Sequence, residues 1–422
     1  MSRYLVVVSL DALGAEDLED IADLPTLAFL KENGAHVAKV ETIYPSLTYP
    51  AHTTLVTGHY PRKHGIVNNT KIQPRKASPD WFWYRDAIKV PTLYDAAKQA
   101  GLTTAAFLWP VAARSSIDYN IAEIFPNRFW LSQVMVSLWG SSPGFLMDMN
   151  RRFGKLRRGI AQPELDDFLI AAVEDTILRK KPNLVLAHFV DMDSMRHAHG
   201  VKSQDAQDAL KRHDTRLARI IEATKRNGTY EETVFVVLGD HYQIDVHSAI
   251  QLNVLFAGQG WLTLKQDKIV AWEVYAKSCD GSCYIYTKGT VDLAEIQSLL
   301  EGQEGIEQIF DQEEAIAFGA DKTCTLMLEA KAGYYFKDNA VGEVMQRVMS
   351  GDIGNPDSYR AVHGYSPQKP NYATTMIAFG KGIKSGTVIP RARLIDEAPT
   401  FAAILNLDLP NTEGTIIEAI FD

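Results

Sequence analysis

Three apolar runs in this chain end in carboxylates, and that repeated pattern limits the fold more than any other feature. Tyr4–Leu10 (YLVVVSL) runs into Asp11, Leu184–Val190 (LVLAHFV) into Asp191 and Asp193, and Val234–Leu238 (VFVVL) through Gly239 into Asp240. Short apolar runs without alternation are the signature of strands buried on both faces, as in parallel sheets. Thr103–Phe107 and Thr375–Phe379 have the same character. Helical stretches lie between them: Pro25 opens one that stops at Gly34, Pro91 one that stops at Gly101, and Ser203 caps a long one ending at Gly228. Alternating strands and helices imply an α/β fold, an open and mostly parallel central sheet with helices on both faces. Ligands bind such sheets at the carboxyl ends of the strands. Carboxylates converging there would repel one another and be poorly solvated, and a bound cation is the simplest remedy.

Histidines accompany these carboxylates. Asp193 and His197 are four residues apart, which puts both on one face of a helical turn. His241 directly follows Asp240 on a turn leaving a strand, and His363 sits in a glycine-containing loop before the last core strand. Mixed Asp/His sets suit zinc and other borderline divalent ions. The segment Tyr44-Pro45-Ser46-Leu47-Thr48-Tyr49-Pro50 reads as a rigid turn leading into a helix start. Free backbone N–H groups there favour an anion. Metal coordination would lower the pKa of Thr48 and make its hydroxyl a competent nucleophile, and two metals about 4 Å apart hold both oxygens of an in-line displacement.

Composition narrows the partners. At 422 residues the chain exceeds the usual single core, so one α/β domain with a sizeable insertion, or two domains, is expected. A formal charge of −9 argues against binding a nucleic-acid polymer, though not against a small anionic substrate. Three cysteines, Cys279, Cys283 and Cys324, make no disulfide framework. The apolar run after Met1 is too short for a secretory segment, and no run of about 20 apolar residues spans a membrane, so a cytoplasmic location is the expectation. The stretch 251–345 has shorter, polar-interrupted strands and reads as an inserted cap between core segments 1–250 and 346–422. A second insertion, near 129–160, is apolar and aromatic at first and basic later. A lid over the site or a homodimer contact is the preferred reading of it, ahead of a membrane-surface contact.

The segment YPSLTYPAHTTLVTGHYPRKHGIVNN, followed in order by GLTTAAFLWP, DMDSMRHAHG, LGDH and VHGYSP, resembles the nucleotide pyrophosphatase/phosphodiesterase family of the alkaline phosphatase superfamily. The resemblance covers about three quarters of the chain and implies an alkaline-phosphatase-like three-layer sandwich. It further implies one metal held by Asp11, Thr48, Asp240 and His241, and a second by Asp193, His197 and His363. Zinc is the first choice for both, with manganese or iron as alternatives. Thr48 would attack phosphorus to give a covalent ester that water releases, and the Asn69 amide would hold a phosphate oxygen. The substrate would be a small phosphate compound, a nucleotide among the candidates. Three positions depart from the family pattern: Ala51 replaces an Asn, and Arg196 and Tyr242 replace glycines. Arg196 is a candidate substrate contact, since guanidinium matches phosphate geometry.

Weaker signals have plainer readings. His52, His59 and His64 read as hydrogen-bonding core or loop residues, and His36, His188, His213 and His247 carry no signal. Asp191 reads equally as a ligand-orienting residue or a turn former. The run Trp81-Phe82-Trp83-Tyr84 reads first as packing and second as a stacking platform. The rival functions are a phosphomonoesterase or phosphonate hydrolase of the same superfamily and, from another class, a weakly active protein that retains metal. A sulfatase is disfavoured by Thr at the nucleophile position.

Overall fold

In the computed structural model, which describes residues 3–76, 78–289, 291–355 and 357–422, eight strands form one central sheet. They are β1 (Tyr4–Leu10), β2 (Ala35–Glu41), β3 (Thr104–Phe107), β4 (Tyr119–Ile121), β5 (Leu184–Phe189), β6 (Thr233–Leu238), β7 (Thr374–Gly380) and β8 (Thr387–Arg393). Their order is β8-β2-β7-β6-β1-β5-β3-β4. All neighbours are parallel except β7, which runs against both β2 and β6. The Thr375–Phe379 run therefore forms the one reversed strand of the sheet rather than another parallel one.

Both faces of the sheet are covered. Leu5 and Val7 of β1 enter a core with the helices Thr48–Thr57, Leu93–Gln99 and Glu397–Ile404. Val6, Val8 and Leu10 enter the opposite core with the helices Pro25–Asn33, Glu164–Lys180 and Gln204–Asn227. Period-two side chains on a strand buried at every position after the first thus fill two cores at once. The helix limits follow local chemistry. Ser203 accepts the Ala206 N–H at the start of the long helix, and Gly228 ends it in the left-handed conformation.

The reversal of β7 matters for the site. Because β7 runs downward, the loop entering it, with His363, lies at the same rim as the carboxyl ends of β1, β5 and β6. That rim is closely packed. A Cβ on Gly239 would sit 1.9 Å from the Leu13 carbonyl oxygen, so only glycine lets the turns after β1 and β6 approach each other.

The segment between β6 and β7 builds a second, smaller unit. Four antiparallel strands are ordered Val274–Cys279, Ser282–Thr287, Leu326–Ala330, Ile306–Asp311. Ser248–Ile250 pairs with both Tyr334–Phe336 and Met345–Arg347, which stitches the departing chain to the returning one. The turn Cys279-Asp280-Gly281 of this cap docks on the His363 loop. Gly281 N–H donates to the His363 carbonyl at 2.9 Å, and Gly364 N–H to that of Ser46 at 3.0 Å. Gly364 has φ +86, and a Cβ there would lie 1.8 Å from the Cys279 carbonyl oxygen. Gly364→Ala is expected to cost at least about 2 kcal/mol, from left-handed strain plus the clash, read as a lower denaturation midpoint. An unchanged midpoint would mean that this docking is not tight.

Candidate metal centre

Two ligand groups assemble at the rim. In one, Asp11, Asp240 and His241 each bring a ligand atom within 4.8 Å of the others; in the second, Asp193, His197 and His363 do the same. His241 Nε2 lies 3.3 Å from Asp11 Oδ1, 3.2 Å from Asp240 Oδ2 and 3.0 Å from Thr48 Oγ1. Four side chains from two strand ends and one helix start therefore surround one small space. The two groups adjoin, with the His241 and His363 rings stacked at a centroid distance of 3.9 Å.

The surroundings aim these ligands. His197 Nδ1–H donates to the Ala361 carbonyl at 2.7 Å and His363 Nδ1–H to the Ser46 carbonyl at 3.2 Å, leaving each Nε2 lone pair for the site. Asp193 Oδ1 accepts from the buried Gln243 amide, and Asp240 Oδ1 from Ala12 N–H at 3.2 Å. Asp11 Oδ2 is 3.0 Å from His188 Nε2. His52 Nδ1–H donates to the Thr48 carbonyl at 2.8 Å and its Nε2 meets Ser9 Oγ at 3.0 Å. Thr48 itself opens the helix Thr48–Thr57, with Leu47 at the cap, so its hydroxyl sits at the positive end of the helix dipole.

Electrostatics show what this rim requires. Burial, with the charge of Asp193, pushes the Asp11 carboxyl up to about 7, and burial with Asp11 pushes Asp240 well above its usual range. Burial with His363 holds His241 well below the ordinary histidine value, and burial holds His363 at about 4. Burial also opposes charge on His197, yet Asp193 wins and raises it to about 9. Asp193 is correspondingly held below the carboxylate range, against its own burial, by His197 and the neighbouring histidines. Asp11 Oδ1 and Asp240 Oδ2 are buried acceptors with no hydrogen-bond partner. An unpaired buried acceptor costs about 1–3 kcal/mol and a buried charge more. A divalent cation would satisfy both orphaned oxygens, so the Asp11, Asp240 and His241 group fits a metal, and the donors of Asp193, His197 and His363 could hold one as well.

The pocket over this rim has a volume of about 360 Å³. Tyr49, Asn69 and Trp81 of the core line it, and Lys277, Asp280, Lys337 and Asp338 reach it from the cap. Asn69 Oδ1 accepts the Tyr49 N–H at 2.9 Å, so its NH₂ is the half left for the pocket.

All seven expected ligands, Thr48 among them, thus meet at one rim. Arg196 does not. It is 2 % exposed, with its guanidinium on Asp17 at 2.6 Å and on the Ala12 carbonyl, and it does not line the pocket. The Tyr242 ring covers it at 4.9 Å. The two large residues at family glycine positions therefore stack on each other and brace the Ala12 turn from behind. Ala51 is fully buried among core side chains, facing no ligand. Asp191 is tied to Arg212 and Arg216, away from the ligands. Sequence reasoning missed His188, Gln243 and Glu123, whose carboxylate lies 3.6 Å from His188 Nδ1 and lines the pocket, and nothing in their local spacing pointed to them.

A mixed sheet between helical layers, with a divided Asp/His rim at its strand ends, defines the alkaline-phosphatase-like class of α/β proteins. Murine ectonucleotide pyrophosphatase / phosphodiesterase 5 superposes with a TM-score of 0.71 over 100% of both chains at 18% identity. An inactive variant of it in complex with AMP matches equally well. A family model described as type I phosphodiesterase / nucleotide pyrophosphatase matches residues 5–366, and the chain belongs to that family. Ectonucleotide pyrophosphatase/phosphodiesterase family member 1 of Homo sapiens is 24% identical over 250 residues, which is 56% of this chain but 23% of that protein. An uncharacterized pyrophosphatase/phosphodiesterase of Schizosaccharomyces pombe is 26% identical over 237 residues, 56% of this chain and 44% of that protein. The matched region thus spans less than half the length of these relatives.

The raised His197 gives a pH test. Its folded value lies above the ordinary histidine value, so in metal-free protein its contribution to stability is full below that value and lost as pH rises through about 9. At pH near 7.5 a metal has to displace that proton. Zinc binding is expected to release at least about one proton, seen in calorimetry as an enthalpy that varies with the buffer's ionisation enthalpy. An enthalpy independent of buffer would contradict ligation by His197.

Proposed function

We propose that the chain is a two-metal hydrolase of phosphodiester or pyrophosphate bonds with Thr48 as its nucleophile. The observation that carries this reading is the convergence of Thr48 Oγ1 with Asp11, Asp240 and His241 beside a second Asp/His group. Asp11, Thr48, Asp240 and His241 would hold one divalent ion, and Asp193, His197 and His363 the other, with zinc the first choice. When bound, the ions supply positive charge for the attacking and leaving oxygens and a lowered pKa for the oxygens they hold.

The chain's own residues do the rest. The helix start beneath Thr48 stabilises its deprotonated oxygen, and the His52 bond to the Thr48 carbonyl holds that residue in place. Attack forms a bond from Thr48 Oγ1 to phosphorus as the bond to the leaving oxygen breaks. The alcohol or phosphate so released carries away the proton that Thr48 lost. The free NH₂ of Asn69 donates to a non-bridging oxygen of the phosphoryl group. Water then cleaves the threonine ester and a phosphate monoester leaves. Trp81 and Tyr49, packed edge to face at 5.1 Å, give the pocket an aromatic wall that suits a nucleotide base. The AMP complex of the murine relative supports nucleotides as the substrate class.

Thr48→Ala is expected to lower hydrolysis of bis(p-nitrophenyl) phosphate at least about 1000-fold while both metals stay bound. A variant with full activity would remove Thr48 from the mechanism. Faster hydrolysis of p-nitrophenyl phosphate than of the diester would favour the phosphomonoesterase reading. Two bound metals with no ester hydrolysed would favour the binding-protein reading.

A further inference from the structure

The 129–160 insertion folds as two helices, Gln133–Gly140 and Pro143–Phe153, at the β4 edge of the sheet. None of its residues lines the metal pocket, so it is no lid over the ligands. Its outer face is apolar to an unusual degree. Phe129 is 97% exposed, Trp130 62% and Trp139 63%, and Val134, Met135 and Ile160 are exposed beside them. Monomeric proteins rarely leave such groups in water without a partner.

Two observations say what the partner is. The first is charge. The stretch, with Arg128 just before it, carries Arg151, Arg152, Lys155, Arg157 and Arg158 against Asp148 alone, in a chain of net charge −9. Arg128 and Arg152 are spent on Asp80 and Asp175. Arg151 and Arg158 are more than four-fifths exposed, and their pairs with Asp148 at 3.2 Å and Glu164 at 3.3 Å stand in solvent, where such pairs contribute little. Lys155 is exposed and has no ion pair. Tryptophan and phenylalanine beside exposed lysine and arginine are the composition of a segment lying in a membrane interface, with the bases on anionic headgroups. A second copy of this acidic chain would meet the bases as well, but it would not need the second feature. Behind the helices lies a cavity of about 580 Å³ lined by Ile121, Ile124, Leu138, Leu146 and Phe168. Val134, Met147 and Ile160 both line this cavity and stand exposed at the surface. An apolar recess opening on an apolar, basic face suits an alkyl chain from a lipid layer.

We propose that this helix pair docks the protein on an anionic lipid surface, with Phe129, Trp130 and Trp139 entering the interface and Arg151, Lys155 and Arg158 on the headgroups. The docking needs neither the metals nor Thr48 and stands apart from the hydrolase reading.

Sedimentation of the purified chain with vesicles tests it. The chain is expected to pellet with phosphatidylcholine vesicles that contain phosphatidylserine and to remain largely in the supernatant with phosphatidylcholine alone. Added salt weakens the binding. Phe129→Ser combined with Trp130→Ser is expected to weaken it at least about tenfold, two interfacial aromatics being removed. Arg151→Glu with Arg158→Glu abolishes the preference for phosphatidylserine. Both variants should keep the parent's circular dichroism and its hydrolysis of a soluble diester, which shows that they fold. Failure to pellet with either vesicle, or equal pelleting of parent and variants, overturns the proposal. So does a dimer in ultracentrifugation that the aromatic variant disperses while no vesicle is bound.

Discussion

Everything at the functional rim follows from carboxylates that the fold buries close together. Asp11 and Asp240 end adjacent strands, are almost wholly withdrawn from water, and each keeps an oxygen without a partner. No packing of neutral side chains relieves that arrangement, and protonation relieves it only by surrendering the charge that burial already disfavours. Divalent cations offset both the desolvation and the mutual repulsion. The imidazoles of His197 and His363 are held with their Nε2 atoms inward by carbonyl acceptors.

The sheet exists to make this convergence rigid. β1, β5 and β6 are adjacent and parallel, so their ends fall at one level. The reversed β7 delivers a loop to that same level from the other end of the sequence. The cap then holds the loop through the Gly281 N–H bond to the His363 carbonyl, while the Ser46 carbonyl of the core holds Gly364. The positions of Arg196 and Tyr242 extend the same logic behind the site. Two bulky residues replace glycines, and their stack supports the left-handed Ala12 whose N–H orients Asp240.

Much of this was legible in the sequence, for identifiable reasons. Strands buried on both faces leave unbroken apolar runs, so β1, β5 and β6 and their terminal aspartates could be read directly. Asp193 and His197 share a helical turn, and helical spacing is visible locally. β2 and β8 escaped because they lie at the sheet's margin, where AHVAKVE and TVIPRAR alternate with polar residues and a proline. The direction of β7 escaped because an apolar run carries no record of its polarity within a sheet. His188 carried no signal because its role rests on Asp11, 177 positions away. Arg196 looked like a substrate contact because its charge could be read and its burial could not. Residues of the cap wall, such as Lys277 and Lys337, reach the pocket only through tertiary folding.

Anomalous diffraction from crystals of the zinc-loaded chain is the most direct test of the central claim. The account predicts two peaks, one among Asp11, Thr48, Asp240 and His241 and one among Asp193, His197 and His363. A map with no peak at these side chains, or with a single peak that leaves Asp11 and Asp240 unliganded, would contradict it.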